Sequence, residues 1–254
     1  MILTMPTECC EGLRSRSQMA RRVTEEWAAS QLYCPACPSN RLAPTTANTR
    51  AVDFRCKKCD SPFQLKAGRS AMRGTIPDGA YAALVDAIRS DSTPHLLLLH
   101  YTDSWLVRNL TLVPSFFITE SVIQKRPPLS KTARRANWVG CNIRVGAIAP
   151  DGRVPLVADA VPVPPSDVRA AFDKVRGIQE APPTSRGWMT DVLAVVRRLG
   201  PQFTLEDVYR EGETELSAIH PDNRNVRPKI RQQLQVLRDT GLIRFEGRGQ
   251  YAAC

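Results

Sequence analysis

Helical and strand periods of hydrophobic residues succeed one another along the chain in a definite order. Met19, Val23 and Trp27 recur at helical spacing within residues 17–30, where Ser17 is available as a cap. Residues 51–55 and 62–66 are short strand candidates on either side of a cysteine pair. Residues 78–89 predict an amphipathic helix, with Tyr81, Leu84, Val85 and Ile88 on one stripe. Residues 95–101 and 105–113 then predict two strands, the first apolar enough to be buried on both faces. Helix, strand, strand, helix, strand, strand is the order of a mixed α/β core.

The pattern changes toward the C-terminus. Seven of the 20 prolines fall within residues 150–183, interrupted by one helix candidate at 166–176 followed by Gly177. The expected domain boundary is therefore near residue 180, giving domains 1–180 and 181–254. Beyond it, Trp188, Val192, Val195, Val196 and Leu199 form a helical stripe closed by Gly200-Pro201. Thr204-Leu205-Glu206-Asp207 resembles a capping box that opens a second helix. Val226, Ile230, Leu234 and Leu237 stripe a third, whose other face carries Arg224, Arg231, Gln232 and Gln235. Residues 242–245 and 250–253 can pair across Glu246-Gly247-Arg248-Gly249, so three helices and a basic-tipped hairpin predict a winged helix-turn-helix domain.

Charge sharpens this picture. The net charge of +10 is matched by the sum of two stretches. Residues 125–144 hold six Lys or Arg and no acid; residues 222–254 hold seven against Asp222, Asp239 and Glu246. Basic charge concentrated on recognisable elements is the electrostatic footprint of a nucleic-acid binder. The N-terminus has no apolar run of signal-peptide length, and Leu96–Leu99 is far too short to span a bilayer. A cytoplasmic protein without a membrane partner is the expectation.

Of eight cysteines, four form two Cys-x-x-Cys pairs, Cys34/Cys37 and Cys56/Cys59, separated by 18 residues. Each pair makes a knuckle that offers two sulfurs to one ion. Two knuckles complete a tetrahedral site with no open position, so structural Zn2+ is expected. Cys9, Cys10, Cys141 and Cys254 are scattered.

A second chemistry surrounds the second knuckle. If 51–55 and 62–66 are neighbouring strands, Asp53 faces Gln64, and Gln64 shares a sheet face with Lys66. Phosphodiester hydrolysis needs a hard cation held by oxygens and a water deprotonated in line with the leaving group. Asp53 can supply a charged ligand, Gln64 an amide oxygen and Leu65 its carbonyl; Lys66 can stabilise developing charge. Glu25 or Glu26 can add a carboxylate if the first helix crosses the strand ends. The spacing alone also fits an ordinary surface strand.

The chain resembles the DpnI and Dam-replacing family of type II restriction endonucleases over nearly its whole length. The likeness is carried by Ser17-Gln18-x-Ala20-Arg21, Tyr33-Cys34-Pro35-x-Cys37 and Asp78-Gly79-Ala80-Tyr81. It continues through Thr132-Ala133-Arg134-Arg135-Ala136-x-Trp138-x-Gly140-Cys141-Asn142-Ile143 and Ser185-Arg186-Gly187-Trp188. It ends with Lys229-Ile230-Arg231-Gln232-Gln233-Leu234-Gln235-x-Leu237-Arg238-Asp239 and Gly247-Arg248-Gly249-x-Tyr251. The resemblance implies a PD-(D/E)XK nuclease core with an inserted zinc ribbon, then a winged helix. It further implies Mg2+, or Mn2+, as catalytic cofactor and double-stranded DNA carrying N6-methyladenine in GATC as substrate. It places the metal carboxylate on Asp53, the lysine on Lys66 and the second acidic position on Gln64. Gln64 departs from the usual Glu and removes one negative charge from the site. Val52, not Pro, precedes Asp53.

A reader of N6-methyladenine needs an apolar surface beside hydrogen-bonding groups in the major groove. Trp138 behind Arg134 and Arg135 offers one. Arg231, Gln232, Gln235 and Arg248 are the candidates for contact with bases or phosphates in the winged helix. A palindromic GATC leaves a symmetric dimer and a monomer reading with two domains both open. The alternative to a nuclease is a zinc-ribbon and winged-helix protein that binds methylated DNA and cuts weakly or not at all.

Overall fold

A computed structural model describes residues 1–46 and 51–254. In chain order the elements begin with α1 (Arg16–Gln31), β1 (Ala43–Pro44), β2 (Phe54–Arg55), β3 (Pro62–Gly68), β4 (Thr75–Ala80) and α2 (Tyr81–Arg89). Then come β5 (His95–Tyr101), β6 (Val107–Val113), β7 (Ile123–Lys125), β8 (Gly140–Arg144), β9 (Val154–Ala158), β10 (Val161–Pro162) and α3 (Pro165–Val175). The C-terminal part holds α4 (Pro183–Leu199), β11 (Gln202–Thr204), α5 (Leu205–Ile219), α6 (Val226–Asp239), β12 (Ile243–Gly247) and β13 (Gln250–Ala253). Among the described residues no helix is long and apolar enough to cross a membrane.

The chain forms two compact units, neither of them contiguous in sequence. The first gathers Met1–Met72, Pro94–Ser115 and Arg153–Asp173 around a seven-stranded sheet in the order β1-β2-β3-β5-β6-β9-β10. Only β3 and β5 pair in parallel; every other neighbour is antiparallel. β5 lies at the centre, and its run from His95 to Leu99 is buried on both faces, as the continuous apolar sequence predicts. α1 buries Val23 and Trp27, and the Trp27 indole donates to the Ile2 carbonyl at 2.8 Å. Phe63, His95 and Phe172 pack ring against ring, joining β3, β5 and α3.

The second unit gathers Arg73–Thr93, Phe116–Gly152 and Lys174–Cys254. It holds a small antiparallel sheet, β4-β8-β7, and a three-stranded sheet, β11-β13-β12, with α4, α5 and α6. Thr204 caps α5 as the sequence suggests: its hydroxyl accepts from the Asp207 amide and the Asp207 carboxylate accepts from the Thr204 amide. The Thr204 hydroxyl, which donates to this carboxylate at 2.7 Å, then the Thr204 amide and Arg210, hold the Asp207 carboxyl down at about 2. Gly212 in mid-helix has a packing reason: a Cβ there would stand 2.8 Å from a Val195 methyl, so only glycine lets α5 approach α4 this closely.

Four expectations need correction. Residues 78–80 belong to strand β4, not to a helix, because Pro77 and Gly79 suit an extended edge and Asp78 pairs with Cys141. α2 starts at Tyr81, whose amide donates to Val139 instead of to a capping side chain. Ser15, not Ser17, holds the N-cap position of α1, with no side-chain capping bond. The strand expected from residue 51 shortens to Phe54–Arg55, since Ala51 has φ +57°, and the one expected from residue 105 starts at Val107, since Trp105 has φ +59°.

Candidate active site

The two knuckles of the first unit meet. All four cysteine sulfurs lie within 4.8 Å of one another, and Cys34–Cys59 and Cys37–Cys56 are each 3.6 Å apart. A tetrahedral ion with Zn–S bonds of about 2.3 Å needs sulfurs about 3.8 Å apart, so the cluster fits zinc. Four thiolates fill the coordination shell, which makes the ion structural. Local backbone prepares both turns: the Cys34 amide donates to Ser39 and the Cys56 amide to Ser61. Burial pushes the Cys56 thiol up, but the Cys59 and Lys58 amides outweigh it and bring it down to about 6. Arg169 of α3 clamps the first knuckle by donating to the carbonyls of Cys34, Cys37 and Ser39 at 2.9–3.2 Å. No short-range pattern announces that clamp, because its partners lie at least 130 residues away. Protein purified without chelator is expected to carry one zinc per chain by elemental analysis, and Cys56→Ser to lose it. A zinc content unchanged by that substitution would remove the site.

Asp53 follows from the same β2–β3 ribbon. Phe54 pairs with Phe63 and Arg55 with Pro62, and Asp53, just before the paired residues, stays against β3. The Asp53 amide donates to the Phe63 carbonyl at 2.9 Å, and its Oδ2 accepts the Leu65 amide at 2.7 Å. The amide and carbonyl of one strand residue point the same way, so the Leu65 carbonyl opens on the edge that Asp53 occupies. α1 closes this edge into a cleft of about 350 Å³, with Asp53, Glu25, Arg21, Thr24, Leu65 and Tyr101 among its walls. Burial raises the Asp53 carboxyl above its ordinary range; the Leu65 amide offsets part of the rise, Glu25 adds to it, and Lys66 and Arg21 oppose it.

Of the residues picked from sequence, Asp53 and Glu25 share the cleft. Lys66 is near enough for its charge to act on Asp53. Gln64 is half-buried, and along β3 it and Lys66 alternate with the wall residues Leu65 and Ala67; the bonds of Asp53 to β3 go to Phe63 and Leu65. Glu26 is exposed on α1 and is not among the cleft walls. Arg21 and Tyr101 are wall residues that sequence reasoning missed. The spacing of four between Arg21 and Glu25, ion-paired at 2.7 Å, was a legible sign that the two share a helix face.

The second unit carries the basic elements. The segment between β7 and β8 exposes Lys131, Arg134 and Arg135 and leaves Trp138 half-buried. The Trp138 ring lies over Gly140, where a Cβ would come within 2.7 Å of it. In the C-terminal part, α6 follows α5 across a short turn and buries Ile230, Leu234 and Leu237, while Arg231, Gln232 and Gln235 are exposed. Gln232 accepts from the Lys229 ammonium at 2.9 Å. Arg248 sits at the wing tip with φ +47°, between Gly247 and Gly249 at φ +112° and +75°. A groove of about 890 Å³ runs beside the start of α6, walled in part by Arg89, Trp188, His220, Arg224 and Asn225. His220 stacks on Trp188 and bonds Asp191 at 2.8 Å, which fixes the turn leading into α6.

The chain matches the DpnI, Dam-replacing family over residues 1–181 and the Dam-replacing HTH domain over residues 184–253. It belongs to that family. Membership makes the chain a nuclease of the restriction-endonuclease class with a DNA-binding helix-turn-helix domain. Within a Dam-replacing nuclease, the four cysteines fit a structural zinc site, and α4, α5 and α6 lie within the helix-turn-helix domain.

Proposed function

We propose that this chain is a metal-dependent endonuclease that hydrolyses double-stranded DNA at adenine-methylated GATC sites, with residues 1–180 carrying cleavage and 181–254 a second DNA-reading surface. The observation that carries the reading is the Asp53 cleft, which holds two carboxylates, Asp53 and Glu25, at the sheet edge of a Dam-replacing nuclease. Oxygens of Asp53, Glu25 and the Leu65 carbonyl would hold Mg2+ or Mn2+, with Gln64 adding a neutral oxygen. The bound ion supplies charge neutralisation at the phosphate and a more acidic water. Lys66 stabilises charge on the leaving phosphate oxygens. Trp138 offers the N6-methyl group an apolar face, flanked by Arg134 and Arg135 for the phosphates. Arg231, Gln232 and Gln235 of α6 and Arg248 of the wing contact bases or backbone.

Purified protein with Mg2+ is expected to cut plasmid DNA from an adenine-methylating host and to spare the same plasmid from a non-methylating one. Cutting both equally would reject the methyl-directed reading. Gln64→Glu restores the missing charge and should lower the Mg2+ concentration for half-maximal cleavage; an unchanged Mg2+ profile would take Gln64 out of the metal shell. A second reading, a methylated-DNA binder that does not cut, is favoured by the neutral Gln64 standing outside the cleft walls. Binding of methylated duplex without cleavage at any Mg2+ or Mn2+ concentration would establish it.

A further inference from the structure

The Asp53 cleft does not end at Tyr101. Tyr101, Ser17 and Ala20 also wall a second cavity of about 540 Å³, so the two adjoin in the first unit. The second cavity is built differently. Its far wall is Trp105, whose ring stacks on Tyr101 with centroids 5.2 Å apart and planes within 6°. Tyr101 is buried and Trp105 is half-buried, so Tyr101 supports the stack from the core and Trp105 faces the cavity. Arg16 and Arg69 stand at the same cavity, Arg69 paired with the exposed Asp103 at 2.6 Å.

Trp105 is held there against its backbone preference. Its φ of +59° is a left-handed conformation that a bulky residue rarely adopts. The turn enforces it: the Trp105 amide donates to Thr102, its carbonyl accepts from Met5, and the Thr102 amide donates to Leu106, at 2.9–3.0 Å. A strained aromatic presented to a cavity beside a reaction cleft is the kind of feature that function retains. An aromatic face with two guanidiniums matches a nucleotide: a base to stack and phosphates to neutralise.

We propose that the Tyr101–Trp105 stack, flanked by Arg16 and Arg69, is a subsite for one unstacked nucleotide of the DNA strand next to the phosphate in the Asp53 cleft. The assignment rests on the nuclease reading of that cleft. Releasing a base from the duplex costs stacking energy, and stacking on Trp105 returns part of it. Asp103 competes with the incoming phosphate for Arg69 and so weakens the subsite in the free protein.

The test is binding of the full-length protein to a set of methylated duplexes, each with one mismatched pair at a different position around the target site. A mismatch frees its base cheaply. One position is expected to bind the parent severalfold tighter than the matched duplex. Trp105→Gly suits the φ of that position, so it keeps the turn; it should lose this gain and weaken binding by about tenfold. Trp105→Phe keeps an aromatic face and should retain the gain. Arg16→Gln and Arg69→Gln should each reduce the slope of log K against log salt by about 0.9. Asp103→Asn should tighten binding at low salt, an effect that a purely structural loop would not produce. No mismatch preference, together with unchanged salt slopes, would overturn the subsite even if the parent cuts methylated DNA. A parent that never cuts, yet shows these shifts, would instead remove the nuclease reading and leave the subsite standing.

Discussion

Asp53→Ala is expected to abolish cleavage, by on the order of a thousandfold or more, while zinc content and duplex binding persist. The scale follows from position. Asp53 immediately precedes β2 and is bonded to the Leu65 amide, and Glu25 is its charged companion in the cleft. With Gln64 neutral, removing Asp53 leaves Glu25 as the one charged oxygen ligand for a hard cation in the proposed set. Cleavage by Asp53→Ala at the parental rate would move the active site elsewhere. Asp53→Asn adds a stability arm. Burial raises the Asp53 carboxyl, so the folded protein binds this proton more tightly than the unfolded chain. A raised carboxyl stabilises the fold below its unfolded pKa, and that contribution is lost as pH rises through the folded value. At neutral pH without metal, the ionised Asp53 therefore costs stability, and Asp53→Asn should melt higher than the parent. The difference should vanish below the ordinary carboxylate range of about pH 3.9. Thermal melts across that range with chelator present decide it, and a lower melting point for Asp53→Asn at neutral pH would contradict the burial argument. Mg2+ should raise the parent's melting point and leave that of Asp53→Asn nearly unchanged.

What was legible in the sequence depended on how local its cause was. The Cys-x-x-Cys pairs declare a tetrahedral site because two sulfurs per knuckle need no distant partner. The capping box at Thr204 and Asp207 and the glycine-flanked wing tip are equally short-range, and the structure contains both. β5 was readable because a strand covered on both faces must be apolar throughout. The extended segment at Asp78–Ala80 was misread because apolar residues from Tyr81 onward continue a helical stripe and hide the pairing with β8. At Trp105, neighbouring β-formers suggested a strand, and only the turn bonds to Thr102 and Met5 reveal the reversal. In the cleft, strand spacing brought Asp53 to β3, but the bonds it makes there, to Phe63 and Leu65, depend on local backbone that spacing does not encode. The choice of Glu25 over Glu26 needed the packing of α1, which no spacing encodes.

The second large effect is expected at Arg197. Its guanidinium bonds Asp151 through both oxygens at 2.7 and 2.8 Å, and also donates to the Leu242 and Cys254 carbonyls at 3.1 and 3.3 Å. The side chains of Arg197 and Asp151 are 12% and 9% exposed, so solvent screens the pair only weakly. One guanidinium thus ties α4 to the segment before β9 and to both ends of the wing hairpin in the second unit. Arg197→Met keeps the bulk and removes the charge, leaving Asp151 buried without its cation. Breaking a pair of this kind costs about 3–5 kcal/mol, or roughly 10 °C in melting temperature for a chain of this size. Burial alone would raise the Asp151 carboxyl, but Arg197 outweighs it and holds the group below the ordinary range. A depressed carboxyl contributes stability above its unfolded pKa and loses it as pH falls through the folded value. The Arg197→Met penalty should accordingly be largest at neutral pH and shrink in acid, where Asp151 takes up a proton in the variant. Replacing both partners, Arg197→Met with Asp151→Leu, leaves no buried charge and should recover most of the loss. Denaturant unfolding at neutral and acid pH measures all three. A single variant as stable as the parent at pH 7 would show that the pair holds nothing together, and a double variant no better than the single would place the loss in the carbonyl bonds to Leu242 and Cys254 instead.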